Sequence, residues 1–230
     1  MQKISLTPRL AAVSSLVSGG FVADVGTDHA YLPIYLVETG AAFRAVASDI
    51  RREPLARARE NIEAAGLSDK IETVSANGLN GLEKYPITDV VIAGMGGMTV
   101  IDILNASDFI KKNRTHLILQ PVQNAEELCV YLYENGFFID REATVIDNGR
   151  VYRVISASYD GKKRDISPLS AALGEYNIAH KRENAAGFSA LCDKKIKLLT
   201  ARVAGLERSG QSSAAERELL EQIKKERSEI

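Results

Sequence analysis

The 230-residue sequence predicts an α/β protein: a mostly parallel sheet covered by helices, ended by an antiparallel hairpin and followed by a helical tail. Three observations predict it. From residue 21 to residue 121, short apolar runs alternate with amphipathic stretches across short joints, the pattern of right-handed βαβ units. Two long β-type runs then flank Asn148-Gly149. Asn-Gly in that setting is a strong hairpin signal, because a type I′ turn needs positive φ at both central residues. Beyond residue 160 the two-residue alternation disappears and apolar residues recur at intervals of three and four.

The elements follow in order. In residues 5–18, Leu6, Leu10, Val13 and Val17 form one face of an amphipathic helix, which Gly19 and Gly20 stop. "FVADV" is a short apolar strand. Residues 31–39 form a helix with Pro33 near its start, where a missing N–H is harmless. "FRAVASDI" is the second strand. "REPLARARENIEAAGL" is a helix opened by Pro54, with Leu55, Ala58 and Ile62 on its buried face and Gly66 as its stop. "KIETVSANG" is the third strand. "TDVVIAG" is the fourth, unbroken in its apolar run as a central parallel strand should be. "MTVIDILNAS" is helical, "THLILQP" is the fifth strand, and "AEELCVYLYENG" is a helix ended by Gly136. In the tail, Ser167-Pro168 reads as an N-cap with proline at the first helical position. Leu169, Leu173 and Tyr176 continue that helix. Cys192, Ile196, Leu199, Val203 and Leu206, spaced four, three, four and three, form a short coiled-coil seam. "RSGQSS" breaks it, with Ser213 as a cap for the last helix. The chain therefore divides into residues 1–160, the α/β unit, and residues 161–230, a helical coiled-coil hairpin. A parallel sheet with a hairpin at one edge departs from the six-parallel-strand dinucleotide-binding arrangement. It resembles the seven-stranded, Rossmann-like sheet of class I methyltransferases that use S-adenosylmethionine.

A 45% hydrophobic fraction supports a sizeable core. No apolar run reaches 18 residues, so no transmembrane helix is expected, and "MQKISLTPRL" lacks the apolar stretch of a signal peptide. Cys129 and Cys192 suit reduced thiols in a cytoplasmic protein better than a disulfide framework. Residues 161–230 carry 14 Lys and Arg against 10 Asp and Glu, and the rest 15 against 20. A basic tail on an acidic body points to a polyanionic partner, or else to an unevenly charged solvated surface.

In an open α/β sheet, ligands bind beyond the carboxyl ends of the strands, where strand order reverses. The residues placed there are Asp24 to His29, Asp49, Asn77 to Leu79, and Gly94 to Gly97. The turn Asp24-Val25-Gly26 lets backbone approach a ligand, but the loop carries Asp28 where a pyrophosphate site would want glycine. Asp24 and Asp28 would repel a phosphate and attract a cation; the alternative is an ordinary turn with solvated acids. Asp49 can accept hydrogen bonds from both ribose hydroxyls, or simply start the next helix near its positive end. Asn77 can bond an adenine edge and Leu79 touch the ring, or Asn77-Gly78 can be a plain turn. "AGMGGMT" offers a glycine-rich loop against a flat group, or a close-packed helix entry. His116 and His180 have no ligating neighbours at metal-site spacing, so no metal site is expected.

Taken together, "LTPRL", "VADVGTDHAYLP", "ASDI", "ANGL", "VVIAGMGGM" and "LILQP", in this order, resemble the bacterial tRNA adenine-22 N1-methyltransferases over roughly residues 5–160. Many relatives have Asp where Asn77 stands. The resemblance implies methyl transfer from S-adenosylmethionine to N1 of an adenine in the D-arm region of tRNA. It implies cofactor contacts from Arg9, Asp24, Gly26, Thr27, Asp28, Asp49, Ile50, Asn77, Gly78, Leu79, Gly94 and Met95. Asp28, His29 and Tyr31 would line the methyl-transfer site, Tyr31 stacking on the base and His29 orienting it, with Gly96 and Gly97 on the substrate side. Arg9 would contact the cofactor carboxylate or a phosphate, a surface salt bridge being its plainer alternative. The tail would grip tRNA. Two other readings stay open at this level: the same fold acting on a different acceptor, and an RNA-binding module without catalysis. Oligomeric state is open, and a monomer suffices.

Overall fold

The computed structural model describes residues 4–230. Its centre is β1 (Phe21–Val25), β2 (Arg44–Asp49), β3 (Ile71–Ser75), β4 (Asp89–Met95) and β5 (His116–Pro121), all parallel in the order β3-β2-β1-β4-β5. Strand alternation sends successive side chains to opposite layers. Phe21, Ala23 and Val25 face the layer that holds Leu117 and Leu119, while Val22, Val91 and Ile118 face the other. Burial on both faces is why these strands read as continuous apolar runs.

The hairpin strands β6 (Phe137–Asp147) and β7 (Arg150–Tyr159) are joined through Asn148 and Gly149, whose φ values of +48° and +72° are those a type I′ turn requires. The returning strand, β7, pairs antiparallel with β5, so the sheet ends β5-β7-β6. Seven strands with this edge form the Rossmann-like methyltransferase sheet expected from the sequence. The far end of the sheet is pinned by a buried polar chain. His116 Nδ1 lies 2.7 Å from Asp89 Oδ1, and its Nε2 lies 2.7 Å from Ser156 Oγ.

The helices are α1 (Pro8–Ser14), α2 (Tyr31–Glu38), α3 (Arg52–Ala64), α4 (Gly97–Asn105), α5 (Phe109–Asn113), α6 (Ala125–Glu134), α7 (Pro168–Leu173), α8 (Glu175–Ala179), α9 (Ala185–Arg208) and α10 (Ala214–Ser228). The first is shorter than the apolar spacing suggests. Thr7 Oγ1 accepts from Leu10 N–H and Pro8 follows it, so the helix starts there. At the other end, the Ser18 N–H and hydroxyl turn to the Asp89 carboxylate at 2.9 and 2.8 Å. The short α5 carries too few residues to show a period in the sequence. Ser167 caps α7 as expected, accepting from Ser170 N–H at 3.0 Å. Ser213 makes no cap hydrogen bond; its hydroxyl donates to Glu207 Oε1.

The spacing of Leu169, Leu173 and Tyr176 suggested one helix, but the chain breaks at Gly174, with φ +89°. A Cβ there would sit 1.8 Å from Glu142 Oε2, so the backbone lies directly on that carboxylate. Glu142 is bound to Arg153 in the core, and Arg153 Nη1 donates to Ala171 O at 2.6 Å, tying α7 to the hairpin. Helices α9 and α10 run antiparallel: Arg227 reaches Asp193 at 2.9 Å and Arg202 reaches Glu216 at 3.0 Å. Their seam is tight at its root, where Leu191, Cys192, Ile196 and Leu199 meet Leu219 and Ile223. Val203 and Leu206, nearer the tip, are half-buried like Ile196 and Leu199 but lie outside that cluster. Among the described residues no helix is long and apolar enough to cross a membrane.

Candidate active site

Strand order reverses between β1 and β4, and a cavity of about 350 Å³ opens beyond the carboxyl ends of β1 to β4. Gly26 forms its floor. Its φ is +79°, and its N–H and that of Thr27 both donate to Ser48 O, at 2.7 and 2.9 Å, folding the turn onto β2. A Cβ at position 26 would lie 2.1 Å from Met95 Cε, so glycine is what lets Met95 reach over the turn.

Asp49 lines the same cavity from the end of β2. It is buried, and only its Oδ1 is engaged, accepting from Arg51 N–H at 2.7 Å and Arg51 Nε at 3.3 Å. Oδ2 accepts nothing within the described residues and remains available to a ligand hydroxyl. Ile50 beside it is 61% exposed, an apolar surface for a flat ring. Asn77 and Gly78 line the wall after β3, and Leu79 sits beneath them in the core.

Asp24 is buried under the turn. Burial pushes its carboxyl up to about 6, the neighbouring Asp49 adds to the rise, and the Thr27 hydroxyl opposes it. That hydroxyl is itself buried without a hydrogen bond of good geometry. Asp49 and Asp102 line the cavity and Asp24 lies buried beside its floor, an arrangement hostile to phosphate and receptive to a cation with hydroxyls. A ligand with sulfonium, ammonium and ribose groups fits this donor set.

Asp28, His29 and Tyr31 form a separate, more exposed cluster outside the cavity lining. Asp28 Oδ1 accepts from Arg57 Nη2 at 2.8 Å, and that bond holds its carboxyl below the usual range. The charge case against phosphate thus rests on Asp24, Asp49 and Asp102, since Arg57 offsets Asp28. The His29 and Tyr31 rings stack at 5.1 Å between centroids, 10° from parallel. Asn61 Nδ2 donates to His29 O at 2.9 Å, and Ala30 holds a left-handed φ of +55° before α2. Strain of this kind persists where surrounding structure over-determines the backbone.

Arg9 meets the site from α1. Its Nη1 donates to Gln120 Oε1 at 2.6 Å, and the same oxygen accepts from Gly94 N–H at 3.2 Å. The β4–β5 register shifts between Ala93 and Met95, a bulge at Gly94 after which Met95 pairs with Pro121. Gly97 packs against the loop before α6: its N–H donates to Gln123 O at 2.8 Å, and a Cβ would lie 2.1 Å from Asn124 O. Gly96 faces the Gln123 side chain.

The sequence reading missed Thr99, Asp102 and Ile103, which close the cavity from α4. Their spacing, with Ala106, is one helical face, and a lone aspartate in "MTVIDILNAS" was the available signal. It also missed Gln120, a fully buried amide in an apolar strand. Among the described residues no group of three or more His, Cys, Asp or Glu side chains is arranged to hold a metal ion.

Fold and mouth together define a class I, S-adenosylmethionine-dependent methyltransferase, and residues 6–155 match the family described as methyltransferase domain. The Bacillus subtilis tRNA (adenine(22)-N(1))-methyltransferase is 33% identical over 169 residues, covering 70% of this chain and 71% of that one. Streptococcus pneumoniae Sp1610 in complex with S-adenosyl-L-methionine superposes with a TM-score of 0.80 at 31% identity, covering 94% and 100% of the two chains. M. capricolum TrmK in complex with S-adenosyl-homocysteine gives 0.77 at 26% identity, covering 97% and 96%. The chain belongs to the tRNA (adenine(22)-N(1))-methyltransferase family.

Proposed function

We propose that this protein transfers a methyl group from S-adenosylmethionine to N1 of adenine 22 in tRNA. The observation that carries the reading is the cavity at the mouths of β1 to β4, where Asp49 keeps Oδ2 free beside Gly26 and Asn77, in a chain of this family. S-adenosylmethionine supplies an electrophilic methyl group when bound. Asp49 holds the ribose hydroxyls, Asn77 and Gly78 the adenine edge, Ile50 the ring face, and Asp24 with the Gly26 turn the cationic end. Arg9, fixed by Gln120, waits beside Gly94 for a carboxylate. Adenine N1 carries a free lone pair, so no base is needed to make it a nucleophile. The protein's part is orientation, water exclusion and stabilisation of the cationic product by its carboxylates. N1 lies on the Watson–Crick edge, so the base must be exposed first. The stacked His29–Tyr31 pair supplies a platform for it, with Asp28 fixing His29 and Gly96-Gly97 shaping the other wall. The basic tail, residues 161–230, grips the RNA backbone by charge and shape. With both cysteines free and buried, the protein works in the cytoplasm.

The test is incubation with methyl-labelled cofactor and unmodified tRNA transcripts, followed by mass-spectrometric mapping. One N1-methyladenine at position 22 is expected, and none in a transcript with guanine there. Label in small molecules but in no tRNA would sink the substrate. Asp28→Ala and His29→Ala should lower turnover more than tRNA affinity; a pure binding defect would remove the roles given to them.

A further inference from the structure

The wall of the cofactor cavity has a second side. Met95, which lines the cavity, accepts at its carbonyl from Val122 N–H at 2.9 Å, and Val122 lines a groove of about 490 Å³ between the loop after β5, the tip of the β6–β7 hairpin and α9. Val122 and Ile146 are each 46% exposed there, two large aliphatic side chains facing solvent in one concavity. Tyr152, half-buried, lines the groove from the face of the hairpin opposite Ile146, with the Arg9 guanidinium 5.9 Å from its ring centroid.

The charged side chains that line this groove are both basic. Arg150 and Lys194 line it and Arg9 adjoins it, and among the described residues none of the three forms an ion pair. Asp147, opposite Arg150 in register, is buried and makes no ion pair with it. On the same helix pair, Lys195, Arg202, Arg217 and Arg227 are each bound to a carboxylate, while Lys194, Lys197, Arg208 and Lys225 form no ion pair among the described residues. Lys194 has only the Val151 carbonyl, at 3.4 Å, and burial with the adjacent Lys195 holds its ammonium below the usual range. An anion in the groove would relieve both effects.

We propose that this groove is a subsite for a nucleotide flanking the methylated adenine, its base stacked on Tyr152 beside Val122 and its phosphates held by Arg150 and Lys194. The inference rests on the tRNA reading above. Extruding one base leaves its neighbours unstacked, and an aromatic ring beside apolar side chains restores that contact while cations track the backbone. From β4, where Met95 lies, to β7, where Tyr152 lies, is two strand spacings, about 10 Å. A neighbouring nucleotide spans that separation, and the methylated base itself does not.

The test uses the full-length protein and compares tRNA affinity against salt, S-adenosylhomocysteine affinity by calorimetry, and methylation rate. The Arg150→Gln/Lys194→Gln protein should bind tRNA about tenfold or more weakly, with a salt slope shallower by about 1.5–2, as for two lost phosphate contacts. Tyr152→Ala should weaken binding about tenfold, and Tyr152→Phe should bind as the wild type does. Cofactor affinity should hold in all of them. Arg150→Glu should weaken tRNA binding more than Arg150→Gln, with thermal melts reporting any cost of facing Asp147 across the hairpin. Wild-type affinity and salt slope in these variants, alongside an active wild-type enzyme, overturn the groove alone. A wild type that methylates no tRNA overturns the substrate reading and the groove with it.

Discussion

Replacing Asp24 with asparagine should stabilise the protein while weakening cofactor binding, and the stabilisation should depend on pH in a defined direction. Burial raises the Asp24 carboxyl from 3.8 to about 6. A carboxyl that holds its proton more tightly when folded contributes no penalty below its unfolded pKa. Its cost grows as pH rises from there and is complete above the folded pKa. Two units at about 1.4 kcal/mol each give a cost of about 3 kcal/mol near neutrality, falling to about 1 kcal/mol at pH ~4.5. The uncharged amide of the Asp24→Asn variant carries no such cost at any pH. In a domain of this size the difference at neutrality corresponds to a gain in Tm of about 6–12 °C. Denaturant melts of both ligand-free proteins across that pH range measure it directly, because any fixed effect of the amide appears as a constant offset. Stability curves that run parallel with pH would refute the reasoning and mean that Asp24 ionises freely in the native state. The same ionisation cost is what a cationic ligand relieves, so the variant should also bind S-adenosylmethionine more weakly.

Other consequences are equally open to measurement. Asp49→Ala should lower S-adenosylhomocysteine affinity about 10- to 100-fold by calorimetry, the worth of charge-assisted bonds to a ribose, and an unchanged Kd would remove that role. Arg153→Ala should cost about 3–5 kcal/mol in urea melts, because Glu142 is left charged and buried; Glu142→Gln/Arg153→Met should recover most of it. Gly97→Ala should cost about 1–3 kcal/mol, because its Cβ would meet the Asn124 backbone oxygen rather than a yielding side chain, and a variant as stable as wild type would contradict that contact.

Local patterns carried most of the fold. Strands such as "VVIAG" are buried on both faces, and Asn148-Gly149 demands one turn type, so both are written in short windows. Strand ends likewise bring Gly26, Asp49 and Asn77 around one crevice. What escaped depends on pairing between distant residues. Nothing near Asp28 announces Arg57, 29 positions away, and nothing near Arg9 announces Gln120, 111 positions away. The break at Gly174 follows from a carboxylate on another element, although its three apolar neighbours keep helical spacing. The α4 helix was legible in its period, but a period does not say that one side of it closes the cavity.

The place of β7 between β5 and β6 also governs how the chain can be made. Until residues 155–157 have been synthesised, β5 has no partner on its outer side, and its Leu117-Ile118-Leu119 run presents unpaired backbone beside bare apolar surface. A nascent or proteolysed chain ending before Ile155 carries that open edge, which makes hairpin closure the step that separates productive folding from edge-to-edge association. The helices that follow pack onto a sheet already sealed.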